Sequence, residues 1–235
     1  MTIKILFDKE KLDSRFESGW GISYLLGDML FDTGEKPEYL LHNMKALGIN
    51  PEELKKVIIS HNHWDHRAGL WDLLKINKDL EIYGCSDFFD EFKDKLKGYN
   101  FIKIEASKEI GKNIYTTGPF KASHKGMPIL EQSLIVQNKD SISIICACGH
   151  MGLIDLINKA KSLFNGLKIN LLLGGFHFIE ADMRMAQYVV SQIKKSGIVK
   201  IAPAHCTGNE VAKLFKDLYG KNFITIKTGT EIELW

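Results

Sequence analysis

Four apolar runs in this chain stop at histidine. "KKVIIS" leads into "HNHWDH" (residues 60–66 read "SHNHWDH"), "SISIICACG" into His150, "INLLLGGF" into His177 and "VKIAPA" into His205. Short runs of Ile, Val and Leu bounded by turn residues read as buried strands. Strand ends are where folds with outer helices place their functional groups. A fold that buries these runs must therefore bring several imidazoles to one edge of its sheets.

The first cluster is the densest. His61 and His63 are two residues apart, so on an extended segment both rings point the same way. Asp65 and His66 follow where the chain should turn into the next helix, which lets this second pair face a neighbouring point. Neutral imidazole binds divalent metals, and a carboxylate compensates their charge. Two ions a few ångströms apart could then share a water. His150, His177 and His205 are the candidate partners from later strands, whereas His42 falls in a helical pattern and His124 in a polar loop.

The rest of the chain alternates strands and helices. "TIKILFD" and "ISYLLGDMLFDTG" read as strands, the second a hairpin turning at Gly27–Asp28. "KPEYLLHNMKALGI" is helical, with Leu40, Leu41, Met44 and Leu47 on one side. "SDFFDEFKDKLK" reads as a helix capped by Ser86, and short strands dominate from residue 99 to about 145. Further helices are expected over "MGLIDLINKAKSLF", "EADMRMAQYVVSQIKKSG" and "NEVAKLFKDLYG", with a terminal strand in "FITIKTGTEIEL". Two sheets covered by outer helices accommodate this order. No linker divides the 235 residues, so one domain over 1–235 is expected.

Charge narrows the partners. With 31 basic and 29 acidic residues the net charge is +2, which gives no reason to expect nucleic acid. No stretch approaches 18 apolar residues, so no membrane span is expected. The four cysteines are too few for a disulfide scaffold, and the opening "MTIKILFDKEK" lacks a hydrophobic signal core; a reduced, cytoplasmic protein is the default expectation. Cys146 and Cys148 share one strand face by their spacing. Cys148 reads either as a soft ligand or as a buried apolar residue, and Cys206 is expected to point away from His205.

"HNHWDH" resembles the H-x-H-x-D-H signature of the metallo-beta-lactamase fold superfamily, and "MLFDTG" resembles its early strand. "EQSLIV", "CACGHMG", "LLLGGFHF" and "APAHCTG" are similar to one branch, that of a dihydropterin-methyl ribofuranosyl-aminobenzene phosphate synthase. The resemblance implies an α/β fold of four layers, an αββα sandwich of mixed sheets with outer helices. It implies that His61, His63 and His150 hold one metal and Asp65, His66 and His205 the other, with Asp32 orienting ligands from behind. Zinc suits this set, and manganese, iron or nickel are compatible with it. Asp65 and His177 are the expected catalytic side chains, His177 as a substrate contact or as a group behind the ligands.

Two departures from the superfamily pattern stand out. The aspartate that commonly bridges both metals is absent, and Ala147–Cys148–Gly149–His150 replaces the usual glycine–cysteine–serine–histidine. Thr207, Gly208 and Asn209 mark a helix start that reads either as an anion site or as an ordinary cap. Trp20 and Trp64 flank the expected site, as aromatic surface for a ring-bearing ligand or as packing. The expected activity is hydrolysis of a small phosphoester or lactone by a metal-activated water, on a small, phosphorylated or otherwise anionic substrate. The alternatives are condensation of a dihydropterin methyl diphosphate with an aminobenzene ribofuranosyl phosphate, and a metal-binding module without catalysis.

Overall fold

A computed structural model describes all 235 residues. The first half forms β1 (Thr2–Phe7), β2 (Ser23–Leu26), β3 (Met29–Phe31), α1 (Pro37–Ala46), β4 (Lys56–Ile58), α2 (Trp64–Arg67), α3 (Leu70–Ile76), β5 (Glu81–Gly84), α4 (Ser86–Phe92) and β6 (Asn100–Lys103). The second half follows with β7 (Lys108–Gly111), β8 (Ile114–Thr116), β9 (Phe120–His124), β10 (Met127–Glu131), β11 (Leu134–Gln137), β12 (Ser141–Cys146), α5 (Leu153–Leu163), β13 (Lys168–Gly175), α6 (Met183–Lys195), β14 (Lys200–Ala204), α7 (Asn209–Tyr219) and β15 (Glu231–Glu233).

One sheet runs β15-β1-β2-β3-β4-β5-β6 and the other β14-β13-β12-β11-β8-β7, while β9 and β10 form a separate hairpin. Each large sheet is half antiparallel and half parallel: β3 to β6 are parallel, as are β12, β13 and β14. Parallel strands need crossover connections, and the helices supply them. The parallel half of each sheet consequently ends at one edge, and the histidine-bearing loops leave from there.

The core has three layers. Ile3, Ile5, Tyr24, Phe31 and Ile58 of the first sheet pack against Leu134, Val136, Ile145, Leu171 and Leu173 of the second. Leu40, Met44, Leu70, Leu73 and Phe88 lie outside the first sheet beneath α1, α3 and α4. Leu156, Ile157, Val190, Ile193, Val211 and Phe215 place α5, α6 and α7 outside the second. The chain is an αββα sandwich, as the strand and helix order implies.

Local departures have physical causes. The helix expected over residues 86–97 stops at Phe92 and its cap residue is Cys85, not Ser86; Asp87 Oδ1 takes the Phe88 N–H at 2.8 Å instead. The α1 face buries Asn43 between Leu40 and Met44, because its amide donates to Leu6 O at 2.8 Å and Glu17 O at 2.9 Å. The terminal strand shrinks to Glu231–Glu233, paired with β1. No helix is long and apolar enough to cross a membrane.

Candidate metal centre

β4 ends at Ile58, the chain bends at His61 and Asn62, and His63, extended again, is the residue preceding α2. That geometry turns the first two imidazoles to one side and places Asp65 and His66 in the first helical turn. His61 Nε2 lies 3.0 Å from His63 Nδ1. The His150 ring comes within 4.8 Å of His61 and 4.9 Å of His63, centroid to centroid. On the other side, Asp65 Oδ2 lies 3.5 Å from His66 Nε2 and 3.3 Å from His205 Nε2. The donors His61, His63 and His150 are mutually within 4.8 Å, and so are Asp65, His66 and His205.

Fixed tautomers aim the rings. Asp32 is fully buried and accepts from Ser60 N (2.7 Å), Ser60 Oγ (2.6 Å) and His66 Nδ1 (2.7 Å). With its proton given to Asp32, Ser60 Oγ accepts from His61 Nδ1 at 2.8 Å. Glu131, also fully buried, accepts from His150 Nδ1 at 2.8 Å and from the backbone N–H groups of Cys148, Gly149 and His150. Each ring is thus pinned through Nδ1 and turns Nε2 inward. The buried Nε2 atoms of His66 and His150 have no hydrogen-bond partner. Buried polar atoms are nearly always satisfied, so these two orphans, one in each triad, fit a pair of divalent ions.

His205 is held differently. Its Nδ1 accepts the Gly21 N–H at 3.2 Å, and Trp20 packs on the ring at 4.5 Å. Gly21 has φ +103°, and a Cβ there would sit 1.8 Å from Asp65 O. Only glycine lets this loop pass so close to Asp65 and His205. Gly21→Ala is expected to destabilise the fold by at least about 1–3 kcal/mol from backbone strain alone and to weaken metal binding by Asp65 and His205. Thermal melts with and without zinc measure both; an unchanged metal-dependent stabilisation would refute the second effect.

Electrostatics separates the two triads. Burial, reinforced by the surrounding imidazoles, lowers His61 well below its usual value and His63 to about 4. These rings are neutral at pH 7 and ready to ligate. Burial also opposes charge on His66, but Asp65 and Asp32 outweigh it and raise His66 to about 9. Asp65 is buried too, yet His66 and His205 hold it far below the usual carboxylate range.

A cavity of about 380 Å³ opens onto the cluster. Trp20, Trp64, Lys125, Ile179 and Glu180 wall it, and His63, His124, His150, His177 and His205 reach it. Trp64 is 54% exposed at the mouth. A larger hollow of about 650 Å³ lies at the opposite ends of the strands, lined by Met1, Lys4, Leu26 and Lys55; it contains no cluster of ligating side chains.

His124 and Cys206 stand where the sequence does not put them. His124 ends β9 rather than lying in a loop, and its ring is 4.9 Å from His63 and 5.2 Å from His177. His177 is 4.3 Å from His150 and lines the cavity. Seven of the eight histidines therefore converge, while His42 bonds Arg15 O on α1. Cys206 Sγ lies in the cavity wall, 3.0 Å from Cys148 Sγ. Burial alone would raise the Cys206 thiol, but Cys148, His205 and His177 outweigh it and hold it well below the usual value. Thr207 is an internal brace: its hydroxyl donates to Ala204 O at 2.7 Å and accepts the Phe176 N–H at 3.2 Å. The helix it precedes has no side-chain cap. Glu131, Ser60 and Gly21 carry no ligand motif, and only their contacts reveal them.

The sequence profile of the metallo-beta-lactamase superfamily matches residues 23–124. Over 94% of its length and 92% of the relative's, the chain is 27% identical to the 7,8-dihydropterin-6-methyl-4-(beta-D-ribofuranosyl)-aminobenzene-5'-phosphate synthase of Methanocaldococcus jannaschii. It superposes with a TM-score of 0.85, at 26% identity, on Tm1679, described as a metal-dependent hydrolase of the beta-lactamase superfamily; 99% of this chain and 98% of that one are covered. The metallo-beta-lactamase fold protein YhfI from Bacillus subtilis superposes with a TM-score of 0.70 at 17% identity, covering 99% of each chain, a likeness of fold alone. Sandwich, profile match and full-length likeness together identify the chain as an enzyme with the metallo-beta-lactamase fold, a hydrolase or a related transferase.

Proposed function

We propose that the protein is a dinuclear metallohydrolase acting on a small phosphorylated or otherwise anionic substrate. The observation that carries this reading is the pair of converging triads on the floor of a cavity, each with one orphaned imidazole nitrogen. His61, His63 and His150 hold one ion, and Asp65, His66 and His205 the other. Zinc suits the donors, and manganese, iron or nickel are compatible. Bound ions would polarise a phosphoryl or carbonyl oxygen and make water acidic enough to ionise near neutral pH.

The chain's own residues do the rest. Asp65, fully ionised, holds its ion and orients the attacking water. Lys125, at the cavity rim, draws in an anionic group. His177, facing the cavity beside His150, contacts the substrate. Trp20 and Trp64 offer ring faces that exclude water from one side of the bound molecule.

A second reading is favoured by the full-length likeness to the synthase. In it bound ions would stabilise a diphosphate leaving group, and an arylamine would take the place of water. The test is an assay of zinc- and manganese-loaded protein against phosphomonoesters, phosphodiesters and lactones, beside the dihydropterin methyl diphosphate and aminobenzene ribofuranosyl phosphate pair. Ester or lactone turnover that disappears in His61→Ala and His205→Ala supports the hydrolase. Condensation without hydrolysis supports the synthase. Metal-loaded protein inactive on every substrate leaves the metal-binding module.

A further inference from the structure

We propose that Cys148 Sγ, Cys206 Sγ and His177 Nδ1 form a soft-ligand metal position beside the two histidine-rich triads, suited to a thiophilic divalent ion such as zinc. The three donors leave the ends of the adjacent parallel strands β12, β13 and β14. Cys148 Sγ lies 3.0 Å from Cys206 Sγ and 3.4 Å from His177 Nδ1. All three ligand atoms are mutually within 4.8 Å.

The surroundings are built for a thiolate. The backbone N–H of His177 points at Cys206 Sγ, 3.3 Å away. A Cβ on Gly175 would come within 2.9 Å of that sulfur, so the glycine keeps room for it. Cys148 and Cys206 are only 4% and 2% exposed, yet both, with His177, border the cavity. Three protein donors with one side open to a cavity is the arrangement of a reactive rather than a purely structural zinc site.

The sulfur spacing lies between two end states. Two thiolates on one tetrahedral zinc, at about 2.3 Å each, stand roughly 3.8 Å apart. A disulfide would bring them to about 2.0 Å. Either change moves the sulfurs by under about one ångström, so distance does not choose between them. The third donor does: an imidazole nitrogen beside the pair completes a ligand set, whereas a disulfide makes no use of it. Cys148 also belongs to a group with His61 and His66. On binding an ion Cys148 would lose its proton and bring negative charge to a centre that lacks the bridging aspartate common in the superfamily.

The test is a cobalt(II) titration of the metal-free, reduced protein, followed in the near ultraviolet and the visible. Wild type should develop a sulfur-to-cobalt charge-transfer band, and its two thiols should become several-fold slower to react with a thiol reagent. Cys206→Ser and His177→Ala should weaken or abolish that band while keeping the visible bands of histidine-held cobalt, which also report a folded protein. His61→Ala should lose visible intensity and keep the sulfur band, so failure of this position and failure of the dinuclear centre are distinguishable. Visible bands without a sulfur band in wild type overturn the proposal. So do Cys148 and Cys206 thiols that react with the thiol reagent as fast with cobalt as without it.

Discussion

Replacing Glu131 with alanine is expected to cost roughly 3–5 kcal/mol of stability, the range for removing one partner from a buried charged network. Its carboxylate takes three successive backbone N–H groups and the His150 ring, so the variant leaves four buried donors unpaired. The same change frees His150 to rotate, and metal affinity in its triad should fall by about 10–100-fold. Denaturant melts of metal-free protein isolate the first effect, and zinc competition titrations the second. Glu131→Gln should fall between the two, because an amide keeps one acceptor but turns N–H groups toward other donors. The pH dependence has a definite sign. Burial would raise the Glu131 carboxyl, but His150 and the backbone donors hold it below its usual value. Its contribution is therefore present above the ordinary carboxylate range and disappears as pH falls through the lower folded value. The stability gap between wild type and Glu131→Ala should close in acid; a gap that persists there would contradict the assignment.

The second large effect belongs to Asp65. Asp65→Asn removes the ligand charge that faces His66 and His205, and kcat/KM should drop by roughly 10²–10⁴. A proton count distinguishes this loss from simple misfolding. His66, raised to about 9 by its two carboxylate neighbours despite burial, carries a proton at pH 7. A metal ligand must be deprotonated, so filling this triad releases about one proton and its affinity rises about tenfold per pH unit until about pH 9. Filling the His61 triad displaces no proton from His61 or His63, which are already neutral. Calorimetry in buffers of different ionisation enthalpy reads the release directly. Asp65→Asn should show less of it, because only Asp32 then supports the His66 charge. Uptake that is independent of pH between 6 and 9 would refute this account of His66. In the metal-free protein the raised His66 contributes stability that is complete below its unfolded value and fades as pH rises through about 9.

Much of the candidate site was readable along the chain because its candidate ligands follow strand ends. His61, His63, Asp65 and His66 sit together in sequence, and His150, His177 and His205 each follow an apolar run. The residues that escaped notice are those whose meaning depends on distant neighbours. Glu131 lies 19 residues before the His150 it holds, at the end of β10, and no ligand motif marks it. Ser60 looks like an ordinary strand-end residue until its hydroxyl is seen relaying between His61 and Asp32. His124 reads as loop because "KASHKG" is polar, yet the β9–β10 hairpin carries its ring over the centre. Cys206 follows His205, and adjacent side chains suggest opposite directions; the turn after β14, with His205 at φ +45°, swings it toward Cys148 instead. The sandwich itself was legible from the order of apolar runs, but the boundaries of the short helices were not. Residues such as Asp87 shift those boundaries by bonding the backbone locally.

Anomalous X-ray diffraction from crystals grown with zinc shows whether the two proposed triads each hold an ion. One anomalous peak is expected among His61, His63 and His150 and another among Asp65, His66 and His205, with the first lost in His61→Ala and the second in His205→Ala. Well-ordered crystals with no peak at either triad would contradict the dinuclear reading.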